Sequence, residues 1–143
     1  MTGRAIQRAK LLRLRKIEFR IAAANLSQAQ ATLTNLRQVK QRLAALNSGL
    51  TPAAGIAFGR SLKSNAEMLA RLDAAAISMA IPIGDAMAKI SESQALHHKT
   101  RQREDYASKL HDSAKAQQEA ARVLRADANR PFRKPANFLG EAL

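Results

Sequence analysis

Residues 4–46 contain neither proline nor glycine, and few β-branched residues follow one another there. Nothing in that stretch stops a helix. The spacing predicts one helix of about 43 residues, roughly 65 Å long at 1.5 Å per residue. Helices of globular domains average about 11 residues, so this length points to a coiled coil or a long bundle. The chain has 143 residues, enough for one domain and little more. Aromatic residues make up only 3% and alanine supplies much of the 46% apolar content. A sandwich or barrel needs more Val, Ile, Tyr, Phe and turn residues than that, which sets a strand-rich fold aside.

Apolar residues mark helical stripes. Leu14, Ile17, Ile21 and Ala24 step by three and four. A second stripe in shifted phase follows at Leu26, Ala29, Leu33, Leu36, Leu43 and Leu50, widened by Val39 and Leu46. A shift of phase between heptad segments predicts a stutter. The break falls at Asn47, Ser48 and Gly49, then Pro52, Gly55 and Gly59, so residues 47–60 are expected as the loop, with Gly49 at the C′ position.

The helical pattern resumes over residues 61–129. Leu69, Leu72, Ala76, Met79, Ile83, Ala86 and Ile90 alternate steps of three and four; Leu96, Arg103, Ala107, Leu110, Ala114, Gln117, Ala121 and Leu124 continue after another shift of phase. Pro82 and Gly84 interrupt the arm, and an interior proline removes one hydrogen bond, so a kink is expected at residues 81–85. Pro131, Pro135 and Gly140 mark residues 130–143 as a flexible tail. The expected fold is all-α: a long antiparallel two-helix coiled-coil hairpin over residues 1–129 with a kinked second arm.

Lysine and arginine number 24 against 11 aspartates and glutamates, a net charge of +13. The excess is uneven. Residues 1–65 hold 12 basic residues and one acid, Glu18; residues 66–143 hold 12 basic and 10 acidic ones. The peak is Arg4, Arg8, Lys10, Arg13, Arg15, Lys16 and Arg20, with Arg13, Lys16 and Arg20 on one face and Arg8 and Arg15 elsewhere round the axis. Such a charge favours an anionic partner. For nucleic acid the supporting parts are missing: no helix-turn-helix pair, no zinc-finger spacing, no RNA-binding motif, and Phe19 alone among the basic residues. A basic coiled coil that binds nucleic acid or anionic membrane is the alternative reading, and self-association through residues 69–90 a third.

No constellation carries enzymatic chemistry. Cysteine is absent, which excludes disulfides, thiolate nucleophiles and zinc–thiolate sites. His97 and His111 share a helix face but stand about 21 Å apart at 1.5 Å per residue, too far for one metal ion. Gly55 and Gly59 read as turn residues, and no phosphate-binding glycine loop or nucleophile elbow is present. The longest apolar stretch, residues 74–83, includes Ser78 and Pro82 and falls far short of a membrane span. A soluble intracellular protein without cofactor or catalytic residues is expected.

The opening run Ala5-Ile6-Gln7-Arg8-Ala9-Lys10-Leu11-Leu12-Arg13-Leu14-Arg15-Lys16, leading into Glu18 and Ala22-Ala23-Ala24, resembles the FliJ/YscO family, small coiled-coil stalk proteins of flagellar and type III secretion export machines. The charged return stretch Thr100-Arg101-Gln102-Arg103-Glu104, running on to Leu110, is similar to that family's second arm. The resemblance covers residues 4–45 and 95–128. It implies a stalk inserted into a hexameric export ATPase, touching the cytoplasmic domain of the export gate and in some members export chaperones, at the inner face of the bacterial membrane. On that reading Arg8, Lys10, Arg13, Arg15, Lys16 and Arg20 meet acidic groups lining the ring. Ile56, Phe58, Leu62, Met68, Leu69 and Leu72 form the surface for the gate or a chaperone.

Overall fold

A computed structural model describes residues 3–50 and 59–130. These are 97% helical with no strand, and form two arms, the second bent by 22°. Helix α1 is Gly3–Leu50, α2 is Gly59–Ser78 and α3 is Ala80–Ala128. The 48 residues of α1 span about 72 Å at 1.5 Å per residue. Helices α2 and α3 together form the return arm and pack antiparallel against α1. The all-α hairpin with a kinked second arm is therefore what the chain adopts.

The seam between the arms follows a single register. On α1, shielding falls at Ala5, Arg8, Leu12, Arg15, Phe19, Ala22, Leu26, Ala29, Leu33, Leu36, Leu43, Asn47 and Leu50; only Lys40 is exposed within this series. On the return arm it falls at Asn65, Leu69, Leu72, Ala76, Met79, Ile83, Ala86, Ile90, Ser93, His97, Thr100, Glu104, Ala107, His111, Ala114 and Gln118. Both series alternate steps of three and four throughout. An unbroken seven-residue repeat of this kind keeps two helices in contact by a left-handed supercoil.

The two expected shifts of phase are absent. Leu14, Ile17 and Ile21 are 50%, 47% and 57% exposed, and the seam beside them uses Arg8, Arg15 and Phe19 instead. Leu96 and Leu124 likewise lie outside, at 48% and 70% exposure, and Ser93, His97 and Thr100 carry the seam. Near the open end of the hairpin Leu14, Ile17, Ile21, Leu96 and Leu124 of the expected stripes do not face the partner arm, whereas Ala107, Leu110 and Ala114 are shielded.

Small residues dominate the deepest positions: Ala5, Ala22, Ala29, Ala86 and Ala107 are buried with Leu33, Ser93 and Thr100. A two-stranded coil leaves each seam residue open on its flanks, and alanine is among the few side chains small enough to vanish between two backbones.

Two boundaries differ from expectation. Helix α1 continues through Asn47, Ser48 and Gly49 to Leu50, and no glycine among the described residues has a positive φ, so Gly49 is not a left-handed cap. The heptad explains the extra turn: Asn47 and Leu50 occupy seam positions, and Asn47 Nδ2 donates to Asp73 Oδ1 of α2 at 2.6 Å. Glycine permits a helix to end without compelling it. Helix α2 begins at Gly59 rather than at 61. The tail expected over residues 130–143 lies outside the described residues from 131 onward.

The bend has a covalent cause. Pro82 has no N–H to give the Ser78 carbonyl, while the bonds on either side persist: Met79 N–H to the Ala75 carbonyl at 3.1 Å and Ile83 N–H to the Met79 carbonyl at 3.2 Å. Met79 stays right-handed helical at φ −69°, ψ −15°, so the arm bends without parting.

Two substitutions at the seam have opposite signs. Leu33→Ala empties a buried position and should cost about 2–3 kcal/mol. His111 holds a buried Nδ1 with no hydrogen-bond partner among the described residues. His111→Leu should therefore stabilise the hairpin by about 1 kcal/mol. Urea unfolding followed by circular dichroism at 222 nm reads both.

Candidate interaction surface

The six basic residues of the opening run divide into two groups. Arg8 and Arg15 are seam residues. Arg8 Nη1 donates to the Leu110 carbonyl of α3 at 3.2 Å, a bond between the arms. Arg15 Nη1 is 2.7 Å from Glu18 Oε2, and its side chain is only 29% exposed. The Arg8 guanidinium thus ties the two arms, while that of Arg15 is paired within α1. Arginine suits these places because its aliphatic stem packs along the seam while the head reaches an acceptor at the edge.

Lys10, Arg13, Lys16 and Arg20 are different. All four are exposed and make no ion pair or hydrogen bond with any described residue. Spacings of three, three and four along α1 place them on one exposed flank of the helix, where Lys10 and Arg13 border α3 across an open groove. Repulsion among like charges at such spacings costs a helix a few tenths of a kcal/mol per pair, and an opposing acidic surface would relieve it.

The antiparallel register adds residues that the linear sequence keeps far apart. An open groove at the free end of the hairpin has Ala5, Ile6 and Ala9 as its floor, and Lys10, Arg13, Lys115 and Arg122 among its lining. Arg122 is paired with Glu119 at 3.1 Å; Lys10, Arg13 and Lys115 are unpaired among the described residues. Lys115 and Arg122 were not singled out by sequence reading. Only the pairing of residue 5 with the region around 114–118 brings them beside the opening run, and that follows from the hairpin register rather than from any motif. From 119 to 130 every residue of the return arm is exposed.

At the other end, Leu62 and Met68 are exposed at 43% and 50%. Leu69 and Leu72 are half-buried seam residues, occupied by the pairing of α2 with α1. Ile56 and Phe58 lie outside the described residues. Of the six apolar residues expected to form a second contact surface, two are thus free at the surface and two are committed to the fold.

The histidines do not converge. His97 stacks on Phe19 across the seam, ring centroids 4.9 Å apart and tilted by 33°, and His98 contacts Gln102 at 3.1 Å on the outside. Among the described residues no group of His, Asp or Glu is placed to hold a metal ion. No helix among them is long and apolar enough to cross a membrane. Comparison with protein-family models, curated proteins and solved structures found no match to this chain.

The division between seam and ridge arginines is testable by stability alone. Reversing Arg13, Lys16 and Arg20 together to Glu should change unfolding free energy by no more than about 0.5 kcal/mol per site. Arg15→Glu sets a second carboxylate beside Glu18 in a half-buried position and should cost about 1–2 kcal/mol. Equal effects in thermal melts would remove the distinction.

Proposed function

We infer that this protein is a non-enzymatic coiled-coil stalk or adaptor of a bacterial flagellar or type III export apparatus. The observation that carries the reading is the unpaired basic ridge at the free end of a long, thin hairpin. A heptad rod of two helices is narrow and stiff, the shape required of something that enters a ring. Lys10, Arg13, Lys16 and Arg20 would face acidic groups lining a hexameric ATPase, where charge complementarity steers and orients without demanding tight packing. Arg8 and Arg15, which the resemblance placed among these contacts, would act indirectly, Arg8 by tying the arms together and Arg15 by its pairing with Glu18 along α1.

The tip would face the cytoplasmic domain of the export gate or an export chaperone, with Leu62 and Met68 as its exposed apolar anchors. Methionine, unbranched and polarizable, adapts to a partner surface more readily than a branched side chain. The place of action would be peripheral, at the inner face of the bacterial membrane, reached through the gate. Support for this role consists of the quoted resemblance at residues 4–45 and 95–128 together with the exposed ridge.

The test is ATP turnover by the cognate export ATPase with and without this protein, across a salt series. Stimulation at sub-stoichiometric protein, weakening with salt, is expected. The triple reversal of Arg13, Lys16 and Arg20 to Glu should abolish it while Met68→Ser leaves it intact. Absence of stimulation, with salt-sensitive retention on DNA or on anionic liposomes, would replace this reading by that of a basic coiled coil for nucleic acid or membrane.

A further inference from the structure

The free-end half of the hairpin has a mixed seam. Arg8, Arg15, Ser93, His97, Thr100, Glu104 and His111 share it with Ala5, Leu12, Phe19, Ala22, Ala107 and Ala114, while Leu14, Ile17, Ile21 and Leu96 face outward. In the tip half the seam is mainly leucine, isoleucine, methionine and alanine, with Asn47 and Asn65 near its outer end and Lys40 exposed within it. Apolar surface outside and polar groups inside is a poor arrangement for a two-helix rod, and an economical one for two helices of a larger bundle.

Of these outward residues Ile21 and Leu96 share a groove with Leu11 and Tyr106, while Leu14 and Ile17 lie elsewhere round α1. On the flank away from Arg13, Lys16 and Arg20 a groove runs between the arms, bounded by Leu11 and Ile21 of α1 and by Leu96 and Tyr106 of α3, with Arg103 common to its two segments. From Leu11 to Ile21 it extends about 15 Å at 1.5 Å per residue, some three turns of helix. Tyr106 is 66% exposed and Ile21 57% exposed. The charge along the groove is positive: Arg15, Lys99 and Arg103 line it, and Glu18, the acid among its lining residues, is held by Arg15 at 2.7 Å.

We propose that this groove receives an amphipathic α-helix of a partner protein, apolar on one face and flanked by Asp and Glu, which completes a three-helix coil at the free end of the hairpin. Apolar anchors every three and four residues would seat on Leu11, Ile21, Leu96 and Tyr106, and carboxylates would meet Lys99 and Arg103. A second copy of this chain is the wrong occupant, because it would set Arg15, Lys99 and Arg103 against their own images on a molecule already at +13. A bilayer is also a poor match: the apolar atoms line a concave furrow between two rods, whereas a flat surface touches ridges. The inference stands apart from the stalk role, since the groove lies on the flank opposite the basic ridge.

Tyr106 supplies the readout, being the single tyrosine of a chain without tryptophan. The probes are two designed 21-residue helical peptides without aromatic residues, identical in their leucine face and flanked by Glu in one and by Lys in the other, together with phosphatidylglycerol–phosphatidylcholine vesicles. The Glu-flanked peptide should change Tyr106 emission intensity saturably, the Lys-flanked peptide should not. Ile21→Ser with Leu96→Ser should weaken that binding about tenfold or more, and its circular dichroism melt shows whether the hairpin persists, as expected for side chains about half exposed. Lys99→Glu with Arg103→Glu should reverse the preference between the peptides and keeps the test open if the serine variant unfolds. Equal response to both peptides, no response to either, or unchanged binding by the folded serine variant overturns the proposal. So does an intensity change caused by the vesicles alone, which marks a bilayer surface, or one that follows protein concentration together with dimer sedimentation, which marks a second copy.

Discussion

Everything in this molecule depends on two helices keeping one seven-residue register against each other over most of their length. Rotating one arm by a single residue would carry Ala22, Ala29, Ala86 and Ala107 out from between the backbones and put larger side chains in their place. The contact is thin, so no single knob is decisive; the sum is what holds. That constraint fixes which arginines are structural, which lysines are left to solvent, and which residues of the return arm come to lie beside the opening run. The bend at Pro82 is tolerated because it lies within the seam's phase: Met79 and Ile83 remain shielded on either side of it.

Within that register the chemistry changes along the rod. Towards the tip the seam is apolar, with Leu26, Leu33, Leu36 and Leu43 facing Leu72, Met79, Ile83, Ala86 and Ile90. Towards the free end polar residues join it, and specific contacts cross between the arms: Arg8 to the Leu110 carbonyl and Phe19 against His97. Bonds to partly solvated groups contribute modestly after the loss of water is counted, so at the free end the buried small residues Ala5, Ala22, Thr100 and Ala107 carry the packing.

The hairpin was legible in the sequence because helix length, the proline–glycine gap and the absence of strand formers all act locally. The seam in the free-end half was not. Reading apolar residues as buried selected Leu14, Ile17 and Ile21 and forced a shift of phase that the backbone does not make, because the heptad there is filled by Arg8, Arg15, Ser93, Thr100 and Glu104. Those residues reveal the register only when it is extrapolated from the apolar tip half, by steps of seven, without regard to their polarity. Gly49 misled for a related reason: its permissiveness was taken as a stop, and the tie from Asn47 to Asp73 lies in the third dimension. The basic ridge was visible as a composition, while its members free for a partner could be separated from the seam arginines only once the arms were paired. Lys115 and Arg122, distant in sequence, entered the surface by topology alone.

The connection of the arms has a mechanical meaning. A hairpin whose arms are joined by the chain at one end only behaves like forceps: a load applied between the arms at the free end acts at the greatest distance from the tip. Opening would therefore proceed from Ala5 and His111 towards Leu36 and Met79. The bond from Arg8 to the Leu110 carbonyl and the contact of Phe19 with His97 lie early on that path, where ordinary side-chain substitution can tighten or loosen them.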